Sequence, residues 1–71
     1  MLTNQIRVER ARKRISQADL AEAVNVSRQT IHAIETGKFV PSTVLAMKIA
    51  RYFSMEFDEL FQLEGEDEGS K

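Results

Sequence analysis

The stretch Ser16-Gln17-Ala18-Asp19-Leu20-Ala21-Glu22-Ala23-Val24-Asn25-Val26-Ser27-Arg28-Gln29-Thr30-Ile31-His32-Ala33-Ile34-Glu35-Thr36-Gly37 contains two helix beginnings and two helix endings. Ser16 is a good N-cap residue with the acid Asp19 three positions on. Leu20, Ala21 and Val24 then fall at i, i+1 and i+4, one face of a short helix over Gln17–Val24. Asn25 stops that helix, because Asn tolerates the left-handed backbone in which helices commonly end. Ser27 caps a new helix that buries Ile31 and Ile34, and Gly37 supplies its stop. Only Asn25, Val26 and Ser27 separate the two helices, so they must pack closely at the elbow, where Ala21 is the small residue that permits it.

Such a pair reads as a helix-turn-helix, although a helical hairpin inside another all-helical domain has the same pattern. What separates the two is the outward face of the second member. At 100° per residue, Ile31 and Ile34 point one way while Arg28, Gln29, His32 and Ala33 point the other. That face suits the edges of base pairs. Arg donates a fork of bonds to guanine O6 and N7, Gln pairs with adenine N6 and N7, and a small apolar group touches a thymine methyl.

The flanks continue in helix. Residues 3–13 carry Ile6 and Ala11 among Arg, Glu and Asn, and predict a first helix that ends before Ile15. After the loop Lys38, Phe39, Val40, Pro41, the N-cap Ser42 opens a fourth helix with Leu45, Ile49 and Phe53 at i, i+4 and i+8. A short fifth helix is expected over 57–63, with Phe57, Leu60 and Phe61 as its apolar set. The sequence therefore predicts an all-α fold, a compact five-helix bundle, with one domain over 1–63. Residues 64–71 are acidic, contain Gly and have no apolar residue, and are expected to form a disordered tail.

Length and composition set the limits. Seventy-one residues provide room for one core, and a domain this short is marginal alone without a disulfide, a metal or a partner chain. With no Cys and one His, neither a disulfide nor a structural zinc site is expected, which leaves a partner chain as the staple. The net charge of -1 hides a division. Residues 1–51 hold nine of the ten Lys and Arg against Glu9, Asp19, Glu22 and Glu35, a balance of +5, whereas from Tyr52 onward seven acids face only Lys71, a balance of -6. Asymmetry of this kind fits a part that faces a polyanion and an acidic tail that does not, though surface charges of both signs are also ordinary solvation. The chain opens with no charged-then-apolar leader and has no apolar run near the roughly 20 residues that span a membrane, so no membrane partner is expected and the expected location is the cytoplasm.

The ordered pattern Ser16-Gln17…Leu20-Ala21, Val26-Ser27-Arg28…Thr30-Ile31, Ile34-Glu35…Gly37 resembles the Cro and phage-repressor type of helix-turn-helix, the xenobiotic-response-element (XRE) family. The likeness runs more weakly through Pro41-Ser42 and Ile49-Ala50 to Asp58-Glu59-Leu60-Phe61, about residues 4–63. It implies a bundle of the lambda-repressor-like DNA-binding type, with the third helix in the major groove of double-stranded DNA. It further implies that Gln17 anchors a phosphate, that Arg28, Gln29 and His32 face the bases, and that Arg10 pairs with Glu35. Ser27, Thr30, Ala33 and Lys38 complete the expected DNA-binding set. The physics agrees at Gln17, since a helix N-terminus offers free N–H groups and a positive dipole end to a phosphate. For His32 the reading leaves base contact, phosphate contact and simple solvation open.

Two departures stand out. Asn25 takes a turn position where Gly is frequent, and the loop after the third helix offers Lys38 as its single cation. No cofactor, metal or catalytic group is expected, because His32 sits beside Arg28 and Gln29 without a nucleophile-base pair or a Gly-rich loop. The expected protein is a transcriptional regulator, a repressor bound as a homodimer to a palindromic operator, with Phe57, Leu60 and Phe61 at the dimer interface. An antitoxin or an adaptor that uses the same bundle to bind another protein is the alternative.

Overall fold

The computed structural model describes residues 2–64, so most of the acidic segment expected as a tail lies outside the described residues. The elements in chain order are strand β1 (Leu2–Asn4), helices α1 (Ile6–Lys13), α2 (Gln17–Val24), α3 (Arg28–Glu35), α4 (Thr43–Tyr52) and α5 (Phe57–Leu60), and strand β2 (Phe61–Leu63). Three of the helices start at serine. Ser16 Oγ accepts from the Asp19 N–H at 2.9 Å while the Ser16 N–H donates to Asp19 Oδ2 at 2.9 Å, a full capping box. Ser27 and Ser42 accept from the N–H groups of Thr30 and Leu45, each at 3.1 Å.

Four helices end alike. In each, the last turn closes with a residue at positive φ, and the following N–H reaches back to a carbonyl five positions earlier. The left-handed residues are Arg14, Asn25, Gly37 and Ser54, at φ 58°, 65°, 79° and 55°. The reaching N–H groups are those of Ile15, Val26, Lys38 and Met55, bonded to Arg10, Ala21, Ala33 and Ala50 at 3.1, 2.9, 2.8 and 2.9 Å. Ile15, Val26 and Met55 then lay their side chains against the core, which is the apolar contact that accompanies this kind of ending.

The five helices stand as the sequence predicts, with two boundaries moved. α1 begins at Ile6 rather than near residue 3, and α5 stops at Leu60 rather than at Leu63. The residues released pair with each other as an antiparallel two-stranded sheet, with Leu2 opposite Leu63, Thr3 opposite Gln62 and Asn4 opposite Phe61. The Gln5 N–H continues this join by donating to the Leu60 carbonyl at 2.9 Å. Asn4 serves both sides of it: Oδ1 accepts the Ile6 N–H at 3.1 Å at the start of α1, and Nδ2 donates to the Ile34 carbonyl at 2.9 Å near the end of α3.

Among the described residues, the largest fully buried side chains, Ile6, Leu20, Ile31, Ile34, Ile49, Leu60 and Phe61, belong to one core. Leu60 and Phe61 were expected at a dimer interface, and this corrects that expectation: at 0% and 2% exposure they fill the core, because the turn into β2 points Phe61 inward. Phe57 stays 46% exposed, with its ring stacked on Phe61 at 5.1 Å. Among the described residues, no helix is long and apolar enough to cross a membrane.

Candidate nucleic-acid interface

α3 is held by Ile31 and Ile34, at 0% and 1% exposure, and this fixes which of its residues face outward. Arg28, Gln29 and His32 are exposed on the opposite side, while Thr30 and Ala33 are half-buried at its margins. Ser27 is exposed, but its hydroxyl is committed to the cap and to Thr30 Oγ1 at 2.9 Å. Lys38 stands exposed one residue beyond Gly37, with its own N–H folded back on the Ala33 carbonyl. The N-termini of α2 and α3 follow capped serines, so the first N–H groups of each helix face outward ahead of the capped one.

A chain of polar contacts ties this face to α1. Arg10 donates through Nε to Glu35 Oε2 at 2.6 Å, through Nη2 to Glu35 Oε1 at 3.2 Å, and through Nη1 to the Ile15 carbonyl at 3.0 Å. The two side chains are 17% and 5% exposed, and the fork-on-carboxylate geometry is the strong form of such a pair. Gln17, expected only as a phosphate anchor, occupies the centre of this chain. Its Nε2 donates to Glu35 Oε1 at 3.1 Å and lies 3.2 Å from His32 Nδ1, and its Oε1 accepts from Arg28 Nη1 at 3.3 Å.

The structure therefore brings Arg10, Gln17, Arg28, His32 and Glu35 into one network, while Gln29 and Lys38 are exposed outside it. Asn4 is the supporting residue that the sequence did not reveal. Its bond to the Ile34 carbonyl spans thirty positions, and no local pattern signals a partner that far along the chain. Among the described residues, no group of His, Asp and Glu is placed to hold a metal ion.

This geometry, an exposed polar helix set across a second helix whose N-terminus opens on the same side, defines a helix-turn-helix domain. The helix-turn-helix family model matches residues 6–60. An uncharacterised HTH-type transcriptional regulator of Bacillus subtilis (strain 168), YgzD, is 47% identical over 66 residues, covering 93% of this chain and all of the relative. A second, MJ0272 of Methanocaldococcus jannaschii, is 42% identical with the same coverage. A solved structure of a candidate DNA-binding protein from Bacteroides fragilis superposes with a TM-score of 0.76 at 29% identity, covering 87% of this chain and all of that one. The chain belongs to the XRE-type helix-turn-helix family.

Proposed function

We propose that the protein is a sequence-specific, double-stranded-DNA-binding transcriptional regulator, without catalytic activity, that acts in the cytoplasm as a repressor by occupying a palindromic operator as a homodimer. The observation that carries this reading is the outward face of α3. Arg28, Gln29 and His32 are exposed together, on a helix whose other side is anchored in the core. In this reading α3 lies in the major groove, Arg28 and Gln29 address base edges, and the N-terminus of α2 with Gln17 lies against a phosphate. Ser27 and Thr30 hold the start of α3, Ala33 allows close approach, and Lys38 reaches the backbone.

Two-fold assembly is supported by an exposed apolar face that keeps Phe57 of the expected set and leaves out Leu60 and Phe61. Val40 (66%), Val44 (63%), Met47 (52%) and Phe57 (46%) are uncovered. Val40, Met47 and Phe57, with Leu2, Pro41, Thr43 and Ala46, line one open groove of about 550 Å³. The occupant we assign to it is a second copy of this chain. Beside it, Arg51 and Glu56 line the neighbouring surface that shares Met47 and Phe57, so both signs of charge adjoin the apolar face, which favours a self-complementary two-fold contact.

The test is selection of bound sites from a random duplex library, followed by salt titration of the winner. The expected result is a two-fold-symmetric site with half-site centres about 34 Å apart, and an affinity that falls steeply with salt. Recovery of no preferred sequence, with equal affinity for all duplexes, would reject the reading.

A further inference from the structure

We infer that Gln17 fixes the tautomer of His32, so that His32 presents an Nε2–H donor to the groove and selects a hydrogen-bond acceptor there. The part concerning DNA rests on the proposed function. The tautomer itself does not.

The argument starts at the Gln17 amide, whose two ends differ chemically. Its oxygen lies 3.3 Å from Arg28 Nη1, which can only donate, and its nitrogen lies 3.1 Å from Glu35 Oε1, a carboxylate oxygen that accepts. Turning the amide over would set oxygen against carboxylate oxygen and NH2 against guanidinium, so the orientation is fixed from both sides. Glu35 is in turn held by the Arg10 fork at 2.6 and 3.2 Å, so the carboxylate that orients Gln17 is itself positioned.

The Gln17 NH2 has two hydrogens. One serves Glu35 and the other faces His32 Nδ1 at 3.2 Å. A neutral imidazole has one donor and one acceptor nitrogen, and here Nδ1 must be the acceptor, because an Nδ1–H would face an N–H. The ring proton therefore resides on Nε2, at the far side of the ring, on the exposed face of α3. A His of unspecified tautomer tolerates donors and acceptors alike. This one offers only a donor, and the groove atoms that match are purine N7, guanine O6 and thymine O4, while the cytosine N4 amine is refused. A phosphate oxygen has the same acceptor chemistry. The Gln17 side chain is thus a positioning group for His32, its two hydrogens spent on Glu35 and His32, and a phosphate at the start of α2 is left to the backbone N–H groups.

Nitrogen-15 NMR of the His32 ring at pH 8, without DNA, tests the tautomer. Wild type is expected to show a protonated, pyrrole-like Nε2 and an unprotonated, pyridine-like Nδ1, and Gln17→Leu is expected to move the two shifts toward each other as tautomers exchange. A protonated Nδ1 in wild type, or identical shifts in the two proteins, would overturn the inference. With the selected duplex, 7-deazapurines, 2-aminopurine for guanine and 5-methylpyrimidin-2-one for thymine opposite His32, and methylphosphonates at the flanking phosphates, remove N7, O6, O4 and the backbone oxygens in turn and locate the acceptor. About a tenfold loss on one of these substitutions, absent in His32→Ala, supports the donor and names its target as base or backbone. Tight binding by wild type with no loss on any substitution overturns that part. A protein that binds no duplex would instead reject the proposed function, and the NMR result would still decide the tautomer.

Discussion

Arg28 and Glu35 lie on one helix and in one network, yet their removal should have opposite consequences. Arg28 is exposed and holds Gln17 through Nη1 at 3.3 Å, so Nε and Nη2 of its guanidinium are left to address a base. Arg28→Ala is expected to cost about 1–3 kcal/mol on the selected site and to relax preference at one base pair per half-site, while leaving thermal stability within about 0.5 kcal/mol. Titration against matched and mismatched duplexes measures the first part and calorimetry the second. Glu35→Ala does the reverse, because it strands Arg10 and Gln17, both partly buried, without the carboxylate they share. A loss of about 2–3 kcal/mol is expected, which for a domain of this size lowers Tm by roughly 10–20 °C, with sequence preference retained by the folded fraction. Equal stability of wild type, Glu35→Ala and Arg10→Ala would contradict it. The Arg10–Glu35 pairing was implied by resemblance, whereas the place of Gln17 between Glu35, His32 and Arg28 was not legible. A Gln at the start of a helix looks the same whether it faces solvent or three partners, since the partners lie eleven to eighteen positions away.

The beginnings of α2, α3 and α4 were written in the sequence, because a Ser cap acts on an N–H only three residues on. Asp19 shows how such a cap responds to acid. Its bonds with Ser16 hold its carboxyl below the ordinary value of 3.8. A carboxyl with a depressed folded-state pKa adds stability that is fully present above the unfolded value and is lost as the pH falls through the folded one. Wild type should therefore lose stability relative to Asp19→Asn on acidification below about pH 4, with the two curves parallel above pH 5. Parallel thermal-melt curves over the whole range would show that the box does no electrostatic work. The left-handed residue itself was legible only where the residue type announces it, at Asn25 and Gly37, although the end of α1 at Lys13 was read from its pattern. At Arg14 and Ser54 the same ending is imposed by the apolar neighbours Ile15 and Met55, which seek the core, on residues that a left-handed backbone disfavours. Ser54→Gly and Arg14→Gly are each expected to raise stability by about 1 kcal/mol, while Asn25→Gly should change little. Chemical denaturation of the three variants checks the contrast. The strands escaped the sequence reading for a related reason: three residues are too few for an alternating pattern, and Leu2–Asn4 and Phe61–Leu63 acquire their form from each other.

At the scale of the whole molecule, burial decides between two apolar surfaces that composition cannot tell apart. Phe53, Phe57 and Phe61 recur every four residues, and only the folded chain reveals that Phe53 and Phe61 go inward at 6% and 2% exposure while Phe57 remains at the rim of the groove. Met47→Glu is expected to convert a micromolar dimer into a folded monomer, and to lower affinity for the full site at least tenfold while half-site affinity changes little. Light scattering together with full-site and half-site titrations measures this, and a wild type that is monomeric at micromolar concentration would refute it. The β1–β2 clasp has a mechanical consequence. Because Leu2 faces Leu63 in an antiparallel pair, whatever precedes Leu2 and whatever follows Leu63 leave from the same corner. Traction on either end therefore parts the strands rung by rung instead of loading all their hydrogen bonds together. The last rung to go frees Asn4, whose bonds hold the start of α1 and the end of α3. A proteolytic unfoldase that grips the N-terminal side would therefore detach the support of α3 before it had to break the core, whereas one that grips the other side must draw out Phe61.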